Sequence, residues 1–231
     1  MAVRARARVE VAMKCLLTVC YVLLLAGCAG GPPVPDWQVN AHGALAAHTA
    51  AWLAGRDRVA AQELAIARRE AGRTGSADPL ARVELTACAA RIASLDGADC
   101  PAAQPLLRDA GVEARSYAAY LAGQWDGLDR TQLPPAQRGV PVATDALAQL
   151  RAIEDPFSRL VAAALLLRAG RLPPAGIELA IDTASAQGWP RPLLAWLGFD
   201  RDRCFAGGDR AGAAERQRRI EYVIGSSANA R

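Results

Sequence analysis

The sequence predicts an all-α fold of antiparallel helical hairpins, and three features predict it. Glycines at positions 55, 72, 97, 123, 170, 188 and 208 fall where helices of about 10 to 18 residues would end. Apolar residues between them recur at helical spacing, and no alternating strand pattern bounded by hairpin turns occurs. Alanine and leucine are abundant, aromatic residues make up 5% of the chain, and β-branched residues are thin after residue 40.

The first element is a short apolar run, Cys15 to Leu25, preceded by Arg4, Arg6, Arg8 and Lys14. At about 11 residues it suits the apolar core of a secretory signal and is too short to span a bilayer. It ends in Leu25-Ala26-Gly27-Cys28, and the small side chains of Ala26 and Gly27 suit a signal-peptidase cleft. This layout resembles the lipobox of bacterial lipoprotein signal peptides. The resemblance implies cleavage before Cys28, a diacylated Cys28 sulfur and an acylated first residue of a mature chain spanning 28–231. An aspartate after the cysteine is the inner-membrane retention signal of many such lipoproteins, and Ala29 stands there instead. The implied location is the periplasmic face of the outer membrane of a Gram-negative cell, held by the lipid on Cys28. Glu10 is unusual in a basic leader and Met13-Lys14 would open a compact signal, so translation starts at Met1 or at Met13.

Residues 28–36 form the tether. Its glycines and prolines, Gly30, Gly31, Pro32, Pro33 and Pro35, favour an extended chain of about 3.1 Å per residue, which would hold the domain roughly 20 to 25 Å from the lipid surface. Helical hairpins are expected over 37–130. In that stretch Leu80, Val83, Ala87, Cys88, Ile92 and Leu95 share one helical face, with Asp78-Pro79 as N-cap and first turn. Clustered prolines mark 131–141 as the longest loop and a boundary between two halves. More hairpins are expected over 142–224, where Asp155-Pro156 starts a helix whose Leu160, Val161, Ala164, Leu165 and Leu167 crowd nearly all round it. Asp57 and Asp209 are further capping candidates, and 225–231 reads as a disordered tail.

Cys15 and Cys20 leave with the signal and Cys28 carries lipid, so Cys88, Cys100 and Cys204 remain. In an oxidising periplasm Cys88 and Cys100 are the best-placed pair. Cys88 lies about 10 Å before an expected helix end at Leu95, and 96–100 can fold back over that distance. Such a bond would close a loop of about 13 residues and contribute roughly 3 kcal/mol. The alternative is two thiols in helix packing, and Cys204 reads as a small buried hydrophobe.

Gly55 ends one helix, and Ala60, Leu64 and Ala67 then alternate small and large positions that let the next helix pack closely. Gly170 with Ala175 and Leu179, and Gly208 with Ala213 and Ile220, repeat the pattern, broken at Asp182 and Gln217. These hairpins resemble tetratricopeptide repeats, and the two later glycines are 38 residues apart, near that family's period. A plain irregular α-bundle is the other architecture compatible with alanine-rich hairpins.

The residues argue against several chemistries. Lys14 is the only lysine, so the mature chain carries no P-loop, and no GxSxG elbow occurs. His42 and His48 are six apart, about 120° around a helix, and cannot form a helical zinc pair. No metal, no catalytic residue and no cofactor beyond the lipid on Cys28 is expected. Without residues 1–27, 23 arginines face 22 acids, which argues against nucleic acid. Glu154-Asp155 and Asp200 with Asp202 read as caps or solvated ion pairs. Arg216, Arg218 and Arg219 read as a solvated helix face. Trp52 and Trp196 are expected in the core, and Trp37 as a staple of the first helix.

The expected function is a non-enzymatic scaffold that binds an envelope protein on a concave face, placed by the repeat resemblance on the 160–224 hairpins. Pilotins and subunits of the outer-membrane assembly machine share this layout of lipid anchor and helical hairpins. The alternative is a peptidoglycan-acting enzyme, or an activator of one, using Glu113 or Asp126 in a groove.

Overall fold

The computed structural model describes residues 33–97 and 99–228, and among them every regular element is helical. Among these residues nine α-helices follow in order: α1 (Asp36–Leu53), α2 (Asp57–Gly72), α3 (Ala77–Ala93), α4 (Val112–Ala122), α5 (Ala146–Ala152), α6 (Pro156–Arg168), α7 (Pro174–Ala186), α8 (Pro190–Ala206) and α9 (Arg210–Ala228). Each of the seven punctuating glycines lies at or just past a helix end. At the α1/α2, α6/α7 and α8/α9 turns, Gly55, Gly170 and Gly208 take φ of 72°, 66° and 82°, a region that a Cβ penalises. Packed antiparallel hairpins result. The leader, Cys28 and residues 28–32 of the tether lie outside the described residues.

Two helices form the centre. All seven residues from Leu160 to Leu166 of α6 are buried, as expected of a helix crowded all round. The single apolar face expected for α3 proves too narrow: Ala81, Leu85, Ala89, Ala90 and Ala93 are fully buried as well. They are buried because α3 packs on α2 along one side and on α4 and α6 along others. One continuous core runs from Ala81 to Ile220, so the helices on either side of the proline-rich segment share an interior. A satellite cluster of Ala44, Ala67, Ala71 and Val83 lies between α1, α2 and α3.

The proline-rich segment is three short 3-10 turns, Arg130–Gln132, Pro135–Gln137 and Val140–Val142, from which Leu133 and Val140 enter the core. Helix α9 runs to Ala228, through most of the expected tail. Asp155 caps α6 by accepting from Ser158 N at 2.7 Å, and Asp209 caps α9 by accepting from Gly212 N at 2.9 Å. Asp78 does not cap. Ser76 caps α3 instead, and Asp78 Oδ1 accepts from Gly111 N at 3.0 Å where α4 begins. A Cβ on Gly111 would sit 2.9 Å from that oxygen and would push the carboxylate aside. Asp57 stands in the first turn of α2 and pairs with Arg191 of α8.

Two of the three repeat-like hairpins bury the small residue five positions after the glycine, Ala60 and Ala213. In α7 the pattern is displaced by one: Ala175 is exposed, and Gly176, Ala180 and Ala184 face inward. Gly176 is closely approached by Leu172, and a Cβ there would collide with it.

Asp200, read as a solvated or capping acid, is fully buried in α8. Arg203 reaches its Oδ1 at 2.7 Å and Arg216 of α9 its Oδ2 at 2.8 Å, while Arg216 also pairs with Glu178 of α7 and with Glu215. Arg216 therefore ties three helices together and does not belong to a solvated face; Arg218 is exposed. Cys204 is buried beside this cluster, and burial pushes its thiol up from its ordinary value.

A shared core predicts one unfolding transition, with α3 and α6 melting together. Leu160→Ala should cost about 2–5 kcal/mol in urea unfolding followed by circular dichroism, whereas Phe205→Ala, at a side chain 70% exposed, should stay within about 0.5 kcal/mol. Two resolved transitions would contradict the single core.

Candidate functional site

Helix α1 separates two hollows. On one side α1 contributes Trp37, His42, Leu45 and Thr49, α3 contributes Pro79, Arg82 and Thr86, and the start of α6 contributes Phe157. Three concavities meet here. One runs from Trp37 past Ala71 to Val83 and holds about 370 Å³. A second runs along Leu53 and Phe157 to Trp189 and holds about 640 Å³. The third, about 460 Å³, lies between Arg82, Glu113, Tyr117 and the 3-10 turns at Gln132 and Gln137. His42 and Leu45 line the first two, Arg82 the first and third, and Thr86 and Phe157 the last two. The three are arms of one branched groove.

Its charged groups are largely occupied. Glu113, 57% exposed, accepts from Arg82 at 2.6 Å, and Arg82 also donates to Asp78 at 3.1 Å. Asp155 is engaged as the α6 cap. Arg138 donates through Nε to the Leu133 carbonyl at 2.9 Å. Deep in the third arm Gln137 is 2% exposed and its Oε1 has no protein partner. Burial pushes the Tyr117 phenol up to about 12, against the opposing pull of the Gln137 side chain bonded to it, and burial also raises Tyr120 behind it. Tyr120 stacks between Tyr117 and Trp125, at centroid distances of 6.0 and 6.3 Å.

The structure divides the sequence-derived candidates among these surfaces. The two histidines part: His42 lines the groove and His48 the hollow behind α1. Among the described residues no three His, Cys, Asp or Glu side chains gather as a metal site. Glu113 is in the groove, while Asp126 is exposed and lines none of its arms. Trp37 sits inside the first turn of α1, partly buried, where it walls the groove; it does not occupy the position before the helix that a staple requires. Trp196 is fully buried, whereas Trp52 is only partly so and lies under the Arg191 guanidinium at 4.0 Å. Cys88 and Cys100 are joined in a disulfide, with Cα atoms 5.5 Å apart. Leu25, Ala26, Gly27 and Cys28 lie outside the described residues.

The groove is not where the repeat resemblance put a concave face. Leu160 and its neighbours in α6 are core, so the 160–224 hairpins turn no open face at those residues; the groove uses α1, α3 and the first turn of α6. Three of its polar members, Thr131, Gln132 and Gln137, come from the proline-rich segment, which gave no periodic signal.

Compared with known protein families, with curated proteins and with solved structures, the chain matches none.

Tyr117 and Tyr120 hold their protons in the fold well beyond the ordinary phenol value of 10.0, so their contribution to stability is complete below that pH and is lost as pH rises through about 12 for Tyr117. Alkaline titration of tyrosinate absorbance should show the ionisation of these two coinciding with loss of helical circular dichroism. Ionisation of both before any helix is lost would contradict their burial.

Proposed function

We propose that this protein is a lipid-anchored, non-enzymatic scaffold at the periplasmic face of the outer membrane, and that its groove holds a segment of an envelope protein. The observation that carries the proposal is the branched groove, whose apolar surfaces, Trp37 and Leu45 of α1, Phe157 of α6 and Trp189 just before α8, lie along an open trough. Such a trough suits an extended peptide or a partner's helix, which gains affinity by seating a few large side chains among polar rims. The lipobox at 25–28 supplies the anchor and the proline-rich tether the reach. Among the described residues no helix is long and apolar enough to cross a membrane, so membrane attachment in this reading rests on Cys28.

A peptidoglycan-acting enzyme draws less support. Its nearest candidate, Glu113, is over half exposed and neutralised by Arg82, and the other groove acids, Asp78 and Asp155, are spent on backbone amides. A general acid needs a proton to give, and an arginine-paired carboxylate is a poor holder of one.

Photo-crosslinking residues placed at His42 and Thr86 in the native bacterium should capture one recurrent envelope protein, while the same probe at Arg201, on the far hairpin, should not. Capture of glycan strands alone, or of the same set of proteins from all three sites, would sink the scaffold reading. Cys28→Ala should abolish fatty-acid labelling and release the protein from the membrane pellet; continued labelling would remove the lipobox from the argument.

A further inference from the structure

The hollow behind α1 is smaller and of a different character. It holds about 160 Å³ and is lined by His48 and Trp52 of α1, Leu64 and Arg68 of α2, Glu84, Ala87, Cys88 and Arg91 of α3, and the loop at Cys100 and Pro101. At about 30 Å³ per water molecule this is room for roughly five waters, or a ligand of about five to eight non-hydrogen atoms. We propose that it is a binding site for a small monocarboxylate that also carries a hydrogen-bond donor, such as a hydroxy acid or an N-acylated amino acid.

Two of its lining side chains have polar atoms that the protein leaves unmatched. His48 is 4% exposed, and its Nδ1 lies 2.8 Å from the Ala60 carbonyl oxygen. A carbonyl can only accept, so Nδ1 carries the proton and Nε2 of the neutral ring is an acceptor. That Nε2 is buried and has no partner. One turn further along α1, Trp52 Nε1 is a donor, also buried and also without a partner. Residues four apart share a helix face, and the two rings have centroids 6.5 Å apart. A buried donor or acceptor left unmade costs about 1–3 kcal/mol, and here two of opposite type belong to side chains that line one small cavity. Both atoms are closed off from its open space, so the two rings must turn toward a ligand that donates to Nε2 and accepts from the indole N–H.

Charge around the cavity selects an anion. Arg68 grips Glu84 through two bonds, of 2.5 and 2.8 Å, and the two cancel. Arg91 spends one amino group on the Asp99 carbonyl at 2.7 Å, an uncharged partner, so its positive charge stays uncompensated among the lining residues. The net of one positive charge calls for a single negative one. Leu64, Ala87, Pro101 and the Cys88–Cys100 disulfide supply apolar wall, which suits a short carbon skeleton between carboxylate and donor. The disulfide also fixes the loop against α3, so the wall is formed before the ligand arrives.

Calorimetric titration of the full chain in detergent micelles would use three probes: lactate, N-acetylglycine and propionate. Lactate or N-acetylglycine should bind saturably with one site per chain and shift the Trp52 indole N–H resonance, the stronger of the two identifying the donor as hydroxyl or amide. Propionate, which has no donor, should bind at least tenfold more weakly. Arg91→Gln and Trp52→Phe should each weaken the binding at least tenfold with circular dichroism unchanged. Saturable binding with an unmoved Trp52 resonance, equal binding of propionate, or well-folded variants that keep full affinity would overturn the assignment. So would the absence of binding by both lactate and N-acetylglycine, which would make the hollow a water-filled cavity.

Discussion

A helix leaves its last four carbonyls without an intrahelical donor, and in this protein several of the donors come from other helices. Arg168, at the end of α6, donates to the Leu121 and Ala122 carbonyls that close α4, at 3.2 and 3.5 Å. Arg159, at the start of α6, donates to the Leu150 and Ile153 carbonyls that close α5, at 3.2 and 3.0 Å. From α8, Arg191 reaches the Trp52 carbonyl of α1 at 2.7 Å and Trp196 the Ala93 carbonyl of α3 at 3.1 Å. A guanidinium suits this task because its several N–H groups splay across adjacent carbonyls and its charge meets the negative end of the helix dipole. Helices α6 and α8 are therefore more than packing surfaces. They cap α1, α3, α4 and α5 and hold them in the alignment that the shared core requires.

That dependence explains what the sequence made legible. Local signals were readable: Gly55, Gly170 and Gly208 each end a helix on their own conformational preference, and Asp155 and Asp209 cap helices that start one residue later. Features that need a partner far along the chain were not. Asp78 has the form of a cap, yet Gly111 draws its carboxylate away, 33 residues on. Asp200 stands among arginines in the sequence, as a solvated acid would; its burial depends on Arg216 arriving from α9. The abundance of arginine reads as coding bias in one dimension and as a set of caps and clasps in three. The groove was misplaced for a related reason. Repeat logic assigns the concave face to successive hairpins, but α6 is enclosed on all sides from Leu160 to Leu166, and enclosure is a property of the neighbours.

Alanine sets the scale of the interior. Ala81, Ala89, Ala90 and Ala93 of α3 and Ala162, Ala163 and Ala164 of α6 are all buried, and side chains that small allow two helix backbones to approach closely. Each alanine buries little area, so the stability of such a core rests on a few large residues, Trp196, Tyr120 and the leucines of α6, together with polar links that must be well made. The Asp200–Arg216 pair, the arginine caps and the Cys88–Cys100 bond perform that role. Where the apolar filling gives out, around α1, hollows remain.

Helix α1 is the wall common to the groove and the cavity, and its anchoring is of a different kind from that of α3 and α6. Its Ala44 belongs to the satellite cluster with Ala67, Ala71 and Val83, not to the main core. It is further held by the His48 ring on the Ala60 carbonyl and by Arg191, which accounts at once for the Trp52 carbonyl, the Trp52 ring and Asp57. Elements held by few apolar contacts and a handful of polar ones open at lower free energy than the global fold. An occupant of either hollow that binds the closed arrangement adds contacts across α1 and stabilises it, and by linkage the same stabilisation is available to an occupant of the other. The physical route for such a linkage is short, because His48 and Trp52 face the cavity from the same helix whose Leu45 and Thr49 face the groove.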